Sequence, residues 1–320
     1  MKLLVTGAAG FIGSHFVLRH VEQYPNDEIV VLDKLTYAAD KSFLNPVIDR
    51  ITFVKGDIAD QPLVERLLRK HSMDTVINFA AETHVDNSIT DASPFLHTNV
   101  IGTQSLIEAC RKHGAKLLHI STDEIFGDLE DGDPPFAADA PLRPSSPYAA
   151  SKAAAEMLVM SAMRTYSLQA CVTRCTNNYG PHQASEKFIP TVIRHALRDE
   201  PIPVYAQGKN KRDWLFVTDH TDALEIVLHT QWAFEDPKIH SGHFFNISAD
   251  GERENIAVAR MILDILGKPH TLISFVEDRP GHDWRYALDS SAVRKLGWKP
   301  KVRFEEGLKK TVEWYVKKFT

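Results

Sequence analysis

A short apolar run, Lys2–Thr6, passes directly into Gly7-Ala8-Ala9-Gly10-Phe11-Ile12-Gly13 and then into a helical stretch. This junction constrains the fold more than any other feature. A strand that turns on glycine into a helix must start a strand–helix–strand unit, because the helix has to pack back on the sheet the strand belongs to.

The pattern then repeats. Strands are expected at Lys2–Thr6, Glu28–Asp33, Ile51–Val54, Thr75–Phe79, Lys116–Ser121 and Ala170–Thr173, with helices near 12–23, 61–70, 93–113 and 146–166. Continuous apolar strands alternating with helices imply a parallel sheet buried on both faces. The expected class is α/β, a Rossmann-type doubly wound parallel sheet. After about Thr176 the rhythm changes: Pro and Gly are commoner, and loops are expected at Asn177–Glu186, Gln207–Trp214 and Glu277–Trp284. Helices near 187–199, 219–231, 254–266 and 304–318 point to a smaller α/β lobe. The expected division is 1–175 and 176–320, with residues 214–231 returning to the first part.

Bulk composition excludes several classes. With 320 residues and a formal charge of -5 without a basic run, the chain has length for a real core and no nucleic-acid footprint. Its opening residues are too short and glycine-rich for a signal peptide, and no stretch is long enough to span a membrane. Cys110, Cys171 and Cys175 make no disulfide framework and are expected as packed thiols, which fits a cytoplasmic protein. Of the His residues, His113, His119, His240 and His243 show no metal-ligand spacing, so no metal is expected.

The first glycine turn has the chemistry of a dinucleotide site. Gly7 permits the tight turn, Gly10 lets the backbone approach a pyrophosphate, and Gly13 lets helix and strand pack closely. Asp33 closes the second strand, where a carboxylate accepts from a ribose 2′-OH and repels a 2′-phosphate, favouring NAD over NADP. Lys34 tempers that preference. Asp57, after the third strand, is a candidate for adenine.

Further along, Ser121-Thr122-Asp123-Glu124 ends a strand, and Tyr148 and Lys152 stand one helical turn apart. A phenol beside an ammonium suits alcohol oxidation, because positive charge stabilises phenolate and lowers its pKa from about 10. Thr122 can hydrogen-bond the same substrate oxygen. Two carboxyls suit a later step in which one removes a proton and the other gives one. Adjacent strand residues face opposite ways, so the backbone is expected to bend after Thr122, with Gly127 suited to the turn.

These residues resemble the extended short-chain dehydrogenase/reductase family, and within it the nucleotide-sugar 4,6-dehydratases of the dTDP-glucose type. The matching stretches are TGAAGFIGS (6–14), DKLTYA (33–38), AAETHVDNSI (80–89), TNVIGT (98–103), STDEIFGD (121–128), YAASKAAAE (148–156), NNYGP (177–181), EKFIP (186–190), KRDWLFVTDH (211–220) and DRPGHDWRYALD (278–289). The resemblance implies NAD as cofactor and dehydration of dTDP-glucose to a 4-keto-6-deoxy sugar, with Asp123 as general acid and Glu124 as general base. It implies a cofactor site of Gly7, Gly10, Phe11, Ile12, Gly13, Asp33, Lys34, Leu35, Thr36, Asp57, Ile58, Ala80, Ala81, Thr83, Thr98, Tyr148, Lys152 and Asn178. Around a nucleotide-sugar it places Thr83, Thr122, Asn177, Lys187, Phe188, Pro203, Tyr205, Arg212, Asn246, Arg279 and His282, with Lys187, Arg212 and Arg279 as candidates for the diphosphate. A homodimer through the helices near 93–113 and 146–166 is also implied.

The sequence departs from the pattern at Ala8, Asn87, Phe126 and the 248–255 stretch, none of which removes a proposed catalytic group. A 4-epimerase on the same scaffold would need Thr122, Tyr148 and Lys152 but no carboxyl pair, so Asp123-Glu124 favours dehydration. A dinucleotide-sensing protein with a dead site would have lost one of these groups. Thymine and uracil differ by one methyl, and UDP-glucose stays open as a substrate.

Overall fold

Successive residues of the first strand enter opposite cores. In β1 (Lys2–Thr6), Leu3 and Val5 pack on one face of the sheet and Leu4 on the other, all fully buried. Each such side chain contributes about 1.5–3 kcal/mol by leaving water. The computed structural model describes residues 1–230, 232 and 244–320. Outside these residues lie His240, His243 and residue 231, the end of the expected helix 219–231.

The same two-sided burial runs through β2 (Glu28–Asp33), β4 (Thr75–Asn78), β5 (Lys116–Thr122) and β6 (Ala170–Cys175), while the edge strand β3 (Thr52–Lys55) is only partly buried, with Phe53 on one core and Val54 on the other. Beyond them lie β7 (Asn177–Tyr179), β8 (Ile202–Tyr205), β9 (Lys211–Phe216), β10 (Phe244–Ile247), β11 (Glu252–Glu254) and β12 (Ile273–Val276). The main sheet has seven strands in the order β10-β6-β5-β4-β1-β2-β3, and every pairing is parallel. Helices Phe11–Gln23 and Val217–Leu228 cover one face, and Gln61–His71, Thr103–His113 and Pro147–Tyr166 cover the other. The doubly wound class expected from the sequence is the one found.

Helix Val217–Leu228 shares a core with β1, β2 and helix Phe11–Gln23. Strand β10 pairs with β6 through Phe244↔Val172 to Ile247↔Cys175, and nothing in the reading of the sequence anticipated that. A third core joins β8 and β9 to helices Phe188–Leu197, Asn255–Leu266 and Phe304–Phe319. The expected loops Asn177–Glu186 and Gln207–Trp214 hold strands β7 and β9, whose polar residues hide the strand pattern. The expected helix 93–113 carries a π-helical stretch at Leu96–Gly102.

Strand order reverses between β1 and β4, and loops leaving those two strands in opposite directions open a crevice at their C-terminal ends. The glycine turn follows β1, and Ala80 follows β4.

Candidate active site

The crevice is a cavity of about 290 Å³. Its dinucleotide half is lined by Gly7, Gly10, Phe11, Ile12, Gly13, Asp33, Lys34, Thr36, Asp57, Ile58, Ala80, Ala81, Thr83, Thr98 and Asn178. Gly7 takes φ +68°, and a Cβ there would lie 2.5 Å from the Ala80 nitrogen. A Cβ on Gly13 would lie 2.6 Å from the Gly7 carbonyl oxygen, so the strand–helix approach admits only glycine. Helix Phe11–Gln23 has no side-chain cap, which leaves its first-turn amides aimed at the crevice without an intrahelical acceptor.

Asp33 is fixed from both sides: Oδ2 accepts from the Ala9 amide at 2.9 Å and Oδ1 from the Leu35 amide at 2.8 Å. Burial raises its pKa, and these two amides oppose the rise. Lone pairs remain on both oxygens for a ribose diol. Leu35 itself is absent from the cavity wall; its contribution is that amide. Lys34 pairs with Asp57 at 2.7 Å, so the cation nearest Asp33 in sequence is already engaged with a carboxylate.

Thr122, Asp123, Glu124, Tyr148 and Lys152 line the same cavity. The bend expected after Thr122 is present: β5 ends there and Asp123–Phe126 form a 3-10 turn, closed by Gly127 at φ +81°. Both carboxyls therefore face one space. Thr122 Oγ1 donates to Asp123 Oδ1 at 3.0 Å, while buried Asp123 Oδ2 has no partner among the described residues. Tyr148 lies in the first turn of helix Pro147–Tyr166, whose start is set by Pro147 and by Ser146 accepting from the Ala149 amide at 3.1 Å. The Tyr148 amide donates to Ser88 Oγ at 3.1 Å.

Electrostatics separates the two carboxyls. Burial, then the Glu124 carboxylate, pushes Asp123 well above the usual carboxylate range. Burial also raises Glu124, but Arg279, Lys187 and Arg212 oppose it. Asp123 is thus the better proton holder and Glu124 the better proton acceptor. The expected depression of Tyr148 by Lys152 is not found. Burial and the Glu124 carboxylate push the phenol well above its ordinary value. Lys152 Nζ donates instead to the Ile120 carbonyl at 2.7 Å, and burial lowers its pKa to about 8.

The sugar-side residues divide. Asn177 and Lys187 line the cavity, with Lys187 Nζ donating to the Thr83 carbonyl at 2.7 Å. Arg279 and Tyr205 meet on Asp86, at 3.1 and 3.0 Å, and His282 packs its ring on Tyr205 with centroids 5.8 Å apart. Arg212 is held by the carbonyls of Lys211, Trp284 and Asp283 and lies over the Tyr286 ring at 4.4 Å. Phe188 packs on Trp214, and Pro203 is exposed on β8. Asn246 does not reach the cavity wall: it is fully buried in β10, its amide donating to the Phe136 carbonyl at 2.9 Å. The sequence reading missed Asp86, Glu82, Cys175, Thr176 and Gln183. Asp86 and Glu82 lie within a matched stretch, and Cys175 and Thr176 follow a strand whose end was placed two residues early. Among the described residues no cluster could hold a metal ion.

Fold and cavity define a dinucleotide-dependent enzyme of the extended short-chain dehydrogenase/reductase type. A family model described as GDP-mannose 4,6 dehydratase matches residues 4–311. The dTDP-glucose 4,6-dehydratase of Mycobacterium tuberculosis is 46% identical, over 98% of this chain and 93% of the relative. That of Escherichia coli K12 is 43% identical, over 99% and 93%. The crystal structure of the Streptomyces venezuelae dTDP-glucose 4,6-dehydratase with NAD bound superposes with a TM-score of 0.91 at 42% identity, covering 99% of this chain and 97% of that one. A Thermus thermophilus UDP-glucose 4-epimerase with NAD gives 0.88 at 29%, covering 99% of each. The chain belongs to the dTDP-glucose 4,6-dehydratase family.

Proposed function

We propose that this chain dehydrates dTDP-glucose to dTDP-4-keto-6-deoxyglucose. One observation carries the reading: Asp123 and Glu124 share a cavity with Thr122, Tyr148 and Lys152. The glycine cradle, the unpaired helix amides and the doubly anchored Asp33 fit a dinucleotide. Phe11, Ile12 and Gly13 would hold its pyrophosphate, Asp33 its ribose, Ile58 and Asp57 its adenine, and Ala80, Ala81, Thr98 and Asn178 its nicotinamide half.

NAD supplies the hydride acceptor for sugar C4 and the hydride donor for C6. Tyr148 receives the C4 hydroxyl proton, with Thr122 hydrogen-bonded to that oxygen. Lys152, one helical turn away and anchored on the Ile120 carbonyl, keeps a positive charge in the site as the phenol changes protonation. Once C4 is a ketone, the C5 proton is acidic, because the carbanion delocalises onto the carbonyl. Glu124 removes it. Asp123 protonates the C6 hydroxyl, which leaves as water. Glu124 returns its proton to C5, the proton held by Tyr148 restores Asp123, and the net change is loss of water. Lys187 and Arg279 hold the diphosphate, and together with Arg212 they oppose the rise that burial imposes on Glu124.

The test is dTDP-glucose deuterated at C4. The expected product is a 4-keto-6-deoxy sugar with label at C6 and no net NADH. Label returned to C4 with the 6-hydroxyl intact would make the chain an epimerase. The relatives' nucleotide supports thymine over uracil. One methyl is worth about 1–3 kcal/mol, so kcat/KM should favour dTDP-glucose over UDP-glucose by about 10- to 200-fold.

We infer a homodimer as well. Leu96, Ile101 and Met157 are 52%, 54% and 61% exposed on the run that includes helix Thr103–His113 and on Pro147–Tyr166, an apolar surface that a second copy would cover. Sedimentation should give twice the chain mass, and Met157→Asp should shift it toward one. Three buried free thiols support a cytoplasmic location; among the described residues no helix is long and apolar enough to cross a membrane.

A further inference from the structure

The cavity has two walls from distant parts of the chain. One is the glycine turn with Thr36, Ala38 and Ala39; the other is the segment after β7, which contributes Gln183, Ala184 and Lys187. His182 stands where the two walls meet. It adopts φ +71°, a left-handed conformation that is uncommon outside glycine and is held here by its surroundings.

Those surroundings come from both walls. The Ser14 hydroxyl donates to the Phe11 carbonyl at 2.9 Å, so its oxygen accepts from His182 Nδ1–H at 3.0 Å. Phe43 stacks on the imidazole, with centroids 4.0 Å apart and planes 3° from parallel. His15 lies 4.6 Å from the same ring and donates from Nε2 to the Pro181 carbonyl at 3.0 Å. Trp314 of the C-terminal helix approaches at 5.5 Å, and the neighbouring Tyr315 hydroxyl donates to the Gln183 carbonyl. Ser14 follows Gly13, Phe43 follows the 36–39 segment, and Gln183 follows His182. Each contact is one to four residues from the wall it braces.

Burial lowers His182 to about 3, so the ring is neutral throughout the working range and charge is not its means of action. Nor does it line the cavity or reach a reacting atom. The reaction supplies the reason for such a brace. The hydride taken from C4 must return to C6 of the same sugar, so a dinucleotide that escaped in mid-cycle would strand the ketone.

We propose that His182 is a positioning residue that joins the two walls through Ser14 and Phe43 and retains the dinucleotide during turnover. This rests on the dehydratase reading only for its purpose; the brace itself is tested by retention of NAD. The measurement is release of NAD from purified holoenzyme, followed as bound NAD after dilution and gel filtration. His182→Gly removes the ring and keeps the left-handed conformation accessible. Release should quicken about five- to 150-fold, the combined worth of one aromatic contact and one hydrogen bond. The NAD concentration for half-maximal rate should rise by the same factor, with kcat falling less. Phe43→Leu removes the stack from the other wall and should also quicken release; it decides the matter if His182→Gly does not fold. Release unchanged in a folded variant overturns the proposal. Quickened release in a protein whose wild type leaves dTDP-glucose untouched would sink the dehydratase reading and leave the brace standing.

Discussion

Buried Asp123 lies beside the Glu124 carboxyl, and the two neighbours have unequal company: Glu124 answers to Arg279, Lys187 and Arg212, whereas the first charge acting on Asp123 is Glu124 itself. The reaction requires Glu124 ionised and Asp123 protonated. Activity should therefore fall as pH drops through the raised value of Glu124, and fall again as pH rises through the still higher value of Asp123. The expected kcat/KM profile is a bell whose two limbs belong to the pair rather than to either residue. Asp123→Asn should lose the alkaline limb assigned to the acid. A profile with neither an acid nor an alkaline limb would refute the shared assignment.

Glu124→Gln keeps the shape of the turn and removes the base. Oxidation at C4 should proceed, elimination should stall, and absorbance of reduced nicotinamide should build up on the enzyme. Overall turnover should drop by about 10²–10⁴-fold. Full turnover by this variant would remove Glu124 from the mechanism.

That stalled variant gives access to the oxidation step alone. Lys152 donates to the Ile120 carbonyl at 2.7 Å, and its pKa is lowered to about 8. Its charge is present below that pH and lost above it. In the Glu124→Gln background, stopped-flow appearance of reduced nicotinamide should slow as pH rises through about 8. Adding Lys152→Met should slow it by about 10²–10⁴-fold and abolish that inflection. An inflection that survives the substitution belongs to another group.

The sheet and the grouping of Thr122, Asp123, Glu124, Tyr148 and Lys152 on one cavity are legible from short local patterns. Apolar runs such as Leu3–Thr6 are buried on both faces and need no distant partner to be recognised. Tyr148 and Lys152 share a helix face by spacing alone. What the chain hides is non-local. Strand β10, four residues long, lies at the sheet edge against β6, a pairing that no local pattern announces. Asn246 looked available for substrate, yet that pairing buries it completely. Tyr148 was expected near an ammonium that would lower its pKa. Which way Lys152 points depends on the Ile120 carbonyl, set by the packing of helix Pro147–Tyr166 on β5.

The same packing buries an ion pair with no part in the chemistry. Glu156 lies one turn beyond Lys152 on helix Pro147–Tyr166, fully buried, and Arg174 on β6 is 4% exposed. Arg174 Nε lies 3.1 Å from both Glu156 oxygens, and Nη1 donates to the Ala138 carbonyl at 2.6 Å. Its guanidinium sits between the Phe126 and Phe244 rings, at 4.8 and 4.9 Å. Both charges lie out of water, and removing one leaves the other without its ion-pair partner. Glu156→Gln or Arg174→Met alone should cost about 3–5 kcal/mol, because one charge stays buried and uncompensated. Replacing both, as Glu156→Leu with Arg174→Met, should cost much less than the sum of the single changes, since desolvation of both charges is avoided together. Denaturant titration of the four proteins gives the coupling directly. Single changes costing under about 1 kcal/mol would mean that the pair behaves like a solvent-screened surface bridge.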